Sequence, residues 1–123
     1  ERIEAWSRRH GEFEKRAAFA LLAGLAVHDR HTPDAPFLAG LAHVDAAAGD
    51  ARNFVSKGVS WALRAIGHRN VALHAEAIAH ASALATSDNP TRRWVGKDAL
   101  RDLDRAALRT KVAKATKGRP KTA

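Results

Sequence analysis

The 123-residue chain has no cysteine, no methionine and no tyrosine, only 4 prolines, and no long uninterrupted apolar run. Without cysteine there are no disulfides and no thiolate metal sites, and a reducing cytoplasm is the compartment that fits. Without tyrosine, and with few β-branched runs, the composition argues for helix over sheet. The longest apolar stretches are about one helix face long and are broken by charges, so none is read as a membrane span. No charged segment followed by an apolar one opens the chain, so no signal peptide is read either. A sequence without Met that opens on Glu1, already inside a helical pattern (Ile3, Ala5, Trp6), predicts a longer parent polypeptide.

What is present is a globular composition. Hydrophobic residues make up 46% and charged residues 28% of the chain, enough apolar material for one domain with a modest core. Arg is twice as abundant as Lys and Ala is heavily used, a bias that fits a GC-rich bacterial genome. The net charge of +8 is unevenly spread: seven basic and no acidic residues lie from Arg105 onward, leaving 14 basic and 13 acidic groups before them. Any binding surface on the body must therefore come from the placement of charges and not from their sum.

Six helices are predicted from period and punctuation. The first covers about 1–9 and ends near Gly11. The second runs about 12–28, with Ala18, Leu21, Leu22 and Leu25 on one side. Thr32-Pro33-Asp34 stops it and starts the third, marked by Phe37, Leu41, Val44 and Ala48. The fourth covers about 51–66 on a Val55, Val59, Ala62, Ile66 stripe, with Gly67 as its expected C-terminal cap and Asn70 as the N-cap of the fifth. Leu73, Ala77, Ile78, Ala81 and Leu84 face inward on that fifth helix. Asn89-Pro90 opens the sixth, which runs to about 104.

The starts of alternate helices resemble one another. FEKR at 13–16, FVSK at 54–57 and WVGK at 94–97 each place a cation three residues after an aromatic, at separations of 41 and 40 residues. A period of about 40 carried by helix pairs predicts an all-α fold, a right-handed α-solenoid of about three HEAT-like pairs over residues 1–108. A basic, disordered tail is expected over 109–123. Stacking aligns equivalent positions, so Arg16, Lys57 and Lys97 are expected to form a cationic row.

On the fourth helix Lys57, Trp61 and Arg64 stand at i, i+4 and i+7, on a face that adjoins the apolar stripe without coinciding with it. Two readings fit that border. Trp61 either packs between repeats with the cations covering its ring, or it forms part of a wall against a phosphodiester backbone.

Three segments, EFEKRAAFALLAGLAVHD, RNFVSKGVSWALRAIGHRN and TRRWVGKDALRDL, carry a resemblance to the HEAT-like-repeat DNA alkylation-repair family, the AlkC/AlkD type of DNA glycosylase. It spans about Trp6 to Leu103 and corresponds to the C-terminal half or so of a typical member. The resemblance implies a concave groove that holds duplex DNA carrying an alkylated purine, with Arg16 and Trp61 at the family's DNA-contacting Arg and Trp positions. Lys57, Arg64 and Lys97 are then the expected contacts to flanking phosphates. It also implies hydrolysis of the N-glycosidic bond by a carboxylate in a Trp-x-x-x-Asp segment one repeat before Arg16, which this chain begins too late to include. Asp34, Asp45, Asp50 and Asp88 are expected in turns or caps and Asp98, Asp102 and Asp104 on the last helix; none is expected to be catalytic, and residues 1–123 alone are expected to be inactive.

Other constellations are weak. Seven His residues include no H-E-x-x-H, and His74 and His80 do not share a helix face, so no metal and no cofactor are assigned. KGRPK in the tail contains a Gly-Arg-Pro core like that of minor-groove peptides, but such short matches are common by chance and a generic basic tail raising non-specific DNA affinity is the preferred account. No membrane and no obligate protein partner are expected, while an uncapped repeat end offers a route to self-association. A non-enzymatic HEAT-repeat adaptor for DNA or protein is the alternative function.

Overall fold

The computed structural model describes residues 12–29 and 31–105. They form five α-helices: α1 Glu12–His28, α2 Ala35–Ala47, α3 Asn53–Gly67, α4 Val71–Ala85 and α5 Pro90–Leu103. No strand occurs among the described residues, so the all-α expectation holds. The helix expected over 1–9 and the tail over 109–123 lie outside them.

The helices form two layers. In one, α1 packs on α3 and α3 on α5; behind it α2 packs on α4, and the central α3 also contacts both members of that second layer. Next-but-one helices lie side by side within each layer, and α3 and α5 each pack against α4 across the layers, an all-α arrangement consistent with a helical solenoid. The core is continuous through the stack. Phe19 and Leu22 of α1, Phe37 and Leu41 of α2, Ile66 of α3 and Leu103 of α5 all belong to one buried cluster.

Helix starts follow local chemistry. The Asn70 side chain accepts from the Leu73 N–H at 2.8 Å, and Asn89 accepts from Thr91 and Arg92 N–H at 2.9 and 3.0 Å ahead of Pro90. Asp34 is different: it makes no side-chain cap for α2 and instead accepts from Asn70 Nδ2 at 3.0 Å, tying the starts of α2 and α4 together.

Three readings of the sequence need correction. Gly67 is not a left-handed cap, since no described glycine has a positive φ and α3 is capped by His68. Gly67 is instead a packing glycine, because a Cβ there would meet Ala77 Cβ at 3.0 Å and the Leu103 side chain. Leu21 points outward at 46% exposure, whereas Phe19, Ala23 and Ala26 join Ala18 and Leu22 in the core. The apolar arc of α1 is wide enough that period alone did not say which edge of it faces inward. Asp45 lies within α2 and not in a turn, with His80 Nδ1 2.6 Å from its carboxylate.

Arg69, in the α3–α4 turn, is buried. Its Nη1 donates to the carbonyls of Ala26, at 2.9 Å, and Asp29. Nη2 donates to Thr32 at 2.9 Å, and the guanidinium lies 4.0 Å from the Phe37 ring centroid. One side chain therefore closes the C-terminus of α1, holds the α1–α2 turn and stacks on α2. Asp29 braces the same turn, accepting from the His31 and Thr32 N–H groups and the Thr32 hydroxyl. Arg92 plays a related part further along, donating to the Asp45 carbonyl near the end of α2 at 2.8 Å.

Asp50 joins α1 to the entry of α3. Its carboxylate takes Lys15 Nζ at 3.0 Å, Arg52 Nη2 at 2.6 Å and the Arg52 backbone N–H at 3.1 Å. The Arg52 guanidinium chiefly holds this carboxyl well below the usual range, against the opposing effect of burial, with the Arg52 N–H and Lys15 adding to it.

These contacts predict three outcomes in urea unfolding. Arg69→Lys should destabilise by about 3 kcal/mol, because an ammonium has no planar fork to reach three carbonyls and leaves buried acceptors unmet. Gly96→Ala should cost about 1–3 kcal/mol, since a Cβ there would lie 2.5 Å from the Ala81 carbonyl oxygen and 2.8 Å from the Leu84 carbonyl carbon. Asp50→Asn should cost about 2 kcal/mol at neutral pH. The Asp50 carboxyl is depressed on folding, so its contribution is complete above the unfolded value of about 4 and is lost as pH falls through the folded one. The wild type should therefore weaken below about pH 4 more steeply than Asp50→Asn.

Candidate nucleic-acid interface

The central helix has little surface left for solvent. With α1 and α5 on its flanks and α2 and α4 behind, ten residues of α3 are buried. What remains is one strip one turn apart along the helix: Phe54, 57% exposed, then Lys57, Trp61, 45% exposed, and the half-buried Arg64. Since the second layer occupies the opposite side, this strip emerges on the open face of the α1–α3–α5 layer. The expected sharing of a face by Lys57, Trp61 and Arg64 is met. Arg64 Nε turns back to the Ser60 carbonyl of its own helix at 3.3 Å.

Arg16 on α1 and Lys97 on α5, the helices flanking α3, are both exposed. The Arg16 guanidinium lies over the Phe54 ring, 5.6 Å from its centroid. That contact joins the α1 cation to the α3 strip and accounts for a phenylalanine left more than half exposed. Sequence reasoning noticed the aromatic-x-x-cation repeat but gave its aromatic no role. The signal was present; the partner lies one repeat away and is visible only once the helices are stacked.

The carboxylates are accounted for elsewhere. Asp98 of α5 accepts from the Ser60 hydroxyl at 2.6 Å and from Arg101 Nη2 at 2.8 Å, one oxygen each, at the α3–α5 seam. Asp102 sits 2.6 Å from His68 Nε2 and pairs with Arg105. Asp50 holds Lys15 and Arg52. Among the described residues, no carboxylate pairs with Lys57 or Lys97. Asp50, Asp98 and Asp102 are thus engaged where helices meet, while Lys57 and Lys97 are exposed.

Trp94 and Asp98 happen to stand at Trp-x-x-x-Asp spacing, but downstream of Arg16. Both Asp98 oxygens serve the seam, so the spacing alone does not make it a reacting group. No cluster of three His, Asp or Glu able to hold a metal is found among the described residues, and no described helix is long and apolar enough to cross a membrane. A shallow groove along α1, lined by Leu21, Gly24, Leu25 and His28 among others, lies at the end of the described stack.

Comparison with known proteins gives one match. The family model for the DNA alkylation repair enzyme covers residues 1–103, every described helix included. No curated protein and no solved structure matches the chain.

Proposed function

Because the chain belongs to the DNA alkylation repair enzyme family, we propose that the open face of the α1–α3–α5 layer binds duplex DNA carrying an alkylated purine. The observation that carries this reading is the exposed strip of α3, where Lys57 and Trp61 stand and no carboxylate among the described residues pairs with Lys57. Cations on such a strip neutralise phosphate and release counterions, and an indole lies against sugar or an exposed base. Arg16, held over Phe54, takes phosphate near the lesion. Trp61 lies along the deoxyribose–phosphate backbone, and Lys57, Arg64 and Lys97 take flanking phosphates.

The reaction assigned to the whole protein is hydrolysis of the N-glycosidic bond. An N3- or N7-alkylated purine already carries positive charge, so it departs without a general acid. What remains is to stabilise an oxocarbenium-like sugar and hold a water, work for one carboxylate. An open wall suits a substrate that stays in the helix better than a closed pocket does, in contrast to enzymes that extrude the base. In this reading the exposed side of α1, α3 and α5 contributes the cradle that holds the backbone for that step.

The test is a titration of the full chain against a duplex with a stable abasic-site analogue and its unmodified twin, followed by Trp fluorescence at several salt concentrations. Preferential binding of the analogue, lost in Trp61→Ala and Arg16→Ala, is expected, with a salt slope implying about two to four phosphates. The basic tail contributes equally to both duplexes, so the ratio of affinities is the readout. Equal affinity for the two, unchanged in both variants, would leave an adaptor function for the solenoid.

A further inference from the structure

The α3 strip has a counterpart one repeat on. Phe54, Lys57 and Trp61 stand at i, i+3 and i+7; Trp94, Lys97 and Arg101 stand at the same intervals on α5. Trp94 is 40% exposed, Lys97 is exposed, and the Arg101 side chain is 72% exposed. This indole and these two cations lie along one helix edge and outside the buried core cluster. The faces of α5 that do pack are elsewhere: Gly96 abuts the α4 backbone, and Asp98 meets α3 through Ser60. α4 lies behind α5 and α3 beside it, and Trp94 holds on α5 the repeat position that Phe54 holds on α3.

The Ser60–Asp98 hydrogen bond fixes how the two edges line up. It pins α5 against α3 between Lys57 and Trp61 on one side and Lys97 and Arg101 on the other. Asp98 also holds Arg101 Nη2 at 2.8 Å, so the arginine is drawn toward the seam and not left to sweep through solvent. Its carboxylate is satisfied on both oxygens, so it presents a cation to the face and adds little free negative charge there.

We propose that Trp94, Lys97 and Arg101 form a second nucleic-acid contact strip, continuous with the one on α3, that takes the phosphodiester backbone of the duplex beside the first contact. The proposal rests on the DNA-binding reading of the α3 strip. Neighbouring helix axes lie about 8–10 Å apart, so a backbone following the first strip passes over the second within one or two phosphates. Trp94 supplies the stacking or sugar-packing surface, Arg101 a forked donor to phosphate oxygens, and Asp98 acts as a positioning residue for Arg101.

The test uses the full chain and an unmodified duplex of about 20 base pairs, two helical turns. Affinity and its salt dependence are measured for Arg101→Gln, Arg101→Lys, Trp94→Ala and, as the marker of the first strip, Trp61→Ala. Arg101→Gln should weaken binding about 3- to 10-fold at low salt and reduce the salt slope by about one phosphate, with Arg101→Lys restoring the slope. Trp94→Ala should weaken binding by a similar factor with less change in slope. If Trp61→Ala weakens binding while Arg101→Gln and Trp94→Ala leave affinity and slope unchanged, the second strip is refuted and the first stands. If none of the three changes anything, both readings fall together. Arg101 is too exposed for its loss to disturb folding, so it decides the matter even if circular dichroism shows Trp94→Ala unfolded.

Discussion

A guanidinium in an apolar interior is tolerable where its hydrogens meet acceptors, and the two terminal nitrogens of Arg69 do so by gathering carbonyls from a different repeat. Its partners, Ala26, Asp29 and Thr32, are the loose end of α1 and the turn behind it. These carbonyls have no partner within the helix, and the positive charge answers the negative end of the helix dipole. Phe37 beneath the guanidinium draws α2 into the same knot. A stack of helix pairs has no long-range sheet or disulfide to set its register, so such side-chain ties between repeats decide how one pair sits on the next. The open face depends on that register, because a slide of α3 past α1 would take Phe54 from beneath Arg16.

The division of charge follows the same logic. Long-range polar contacts lie at seams between successive repeats: Lys15 with Asp50, Asn70 with Asp34, Ser60 with Asp98, His68 with Asp102, His80 with Asp45. Each joins residues about one repeat apart in the chain. Five carboxylate or amide ties are thereby placed where successive repeats meet, and they hold the register of the stack.

Membership of the DNA alkylation repair enzyme family gives this geometry a purpose. A lesion whose base is already cationic asks less of a protein by way of proton transfer and more by way of holding the backbone in place. Stacked helices suit that work, since they repeat one contact surface at intervals and keep it rigid from behind. Glycine at the crossings contributes to the rigidity: at Gly96 the backbones of α4 and α5 approach too closely for any side chain.

By itself the sequence determined the five described helices, the caps at Asn70 and Asn89 and the identity of the cations. The apolar stripe of α3, the Asn70 and Asn89 caps and the aromatic-x-x-cation recurrence are local or periodic signals, legible because helix period and capping act within a few residues. It did not determine which edge of α1 faces inward, nor that Gly67 answers to Leu103 and Ala77 instead of to a left-handed turn. Nor did it tell that Phe54 serves Arg16 or that Asp98 links Ser60 to Arg101. Those depend on partners one repeat away. Only the stacking of helices, driven by burial of apolar faces that no single pair can cover alone, brings such residues together and leaves the remaining strip to solvent.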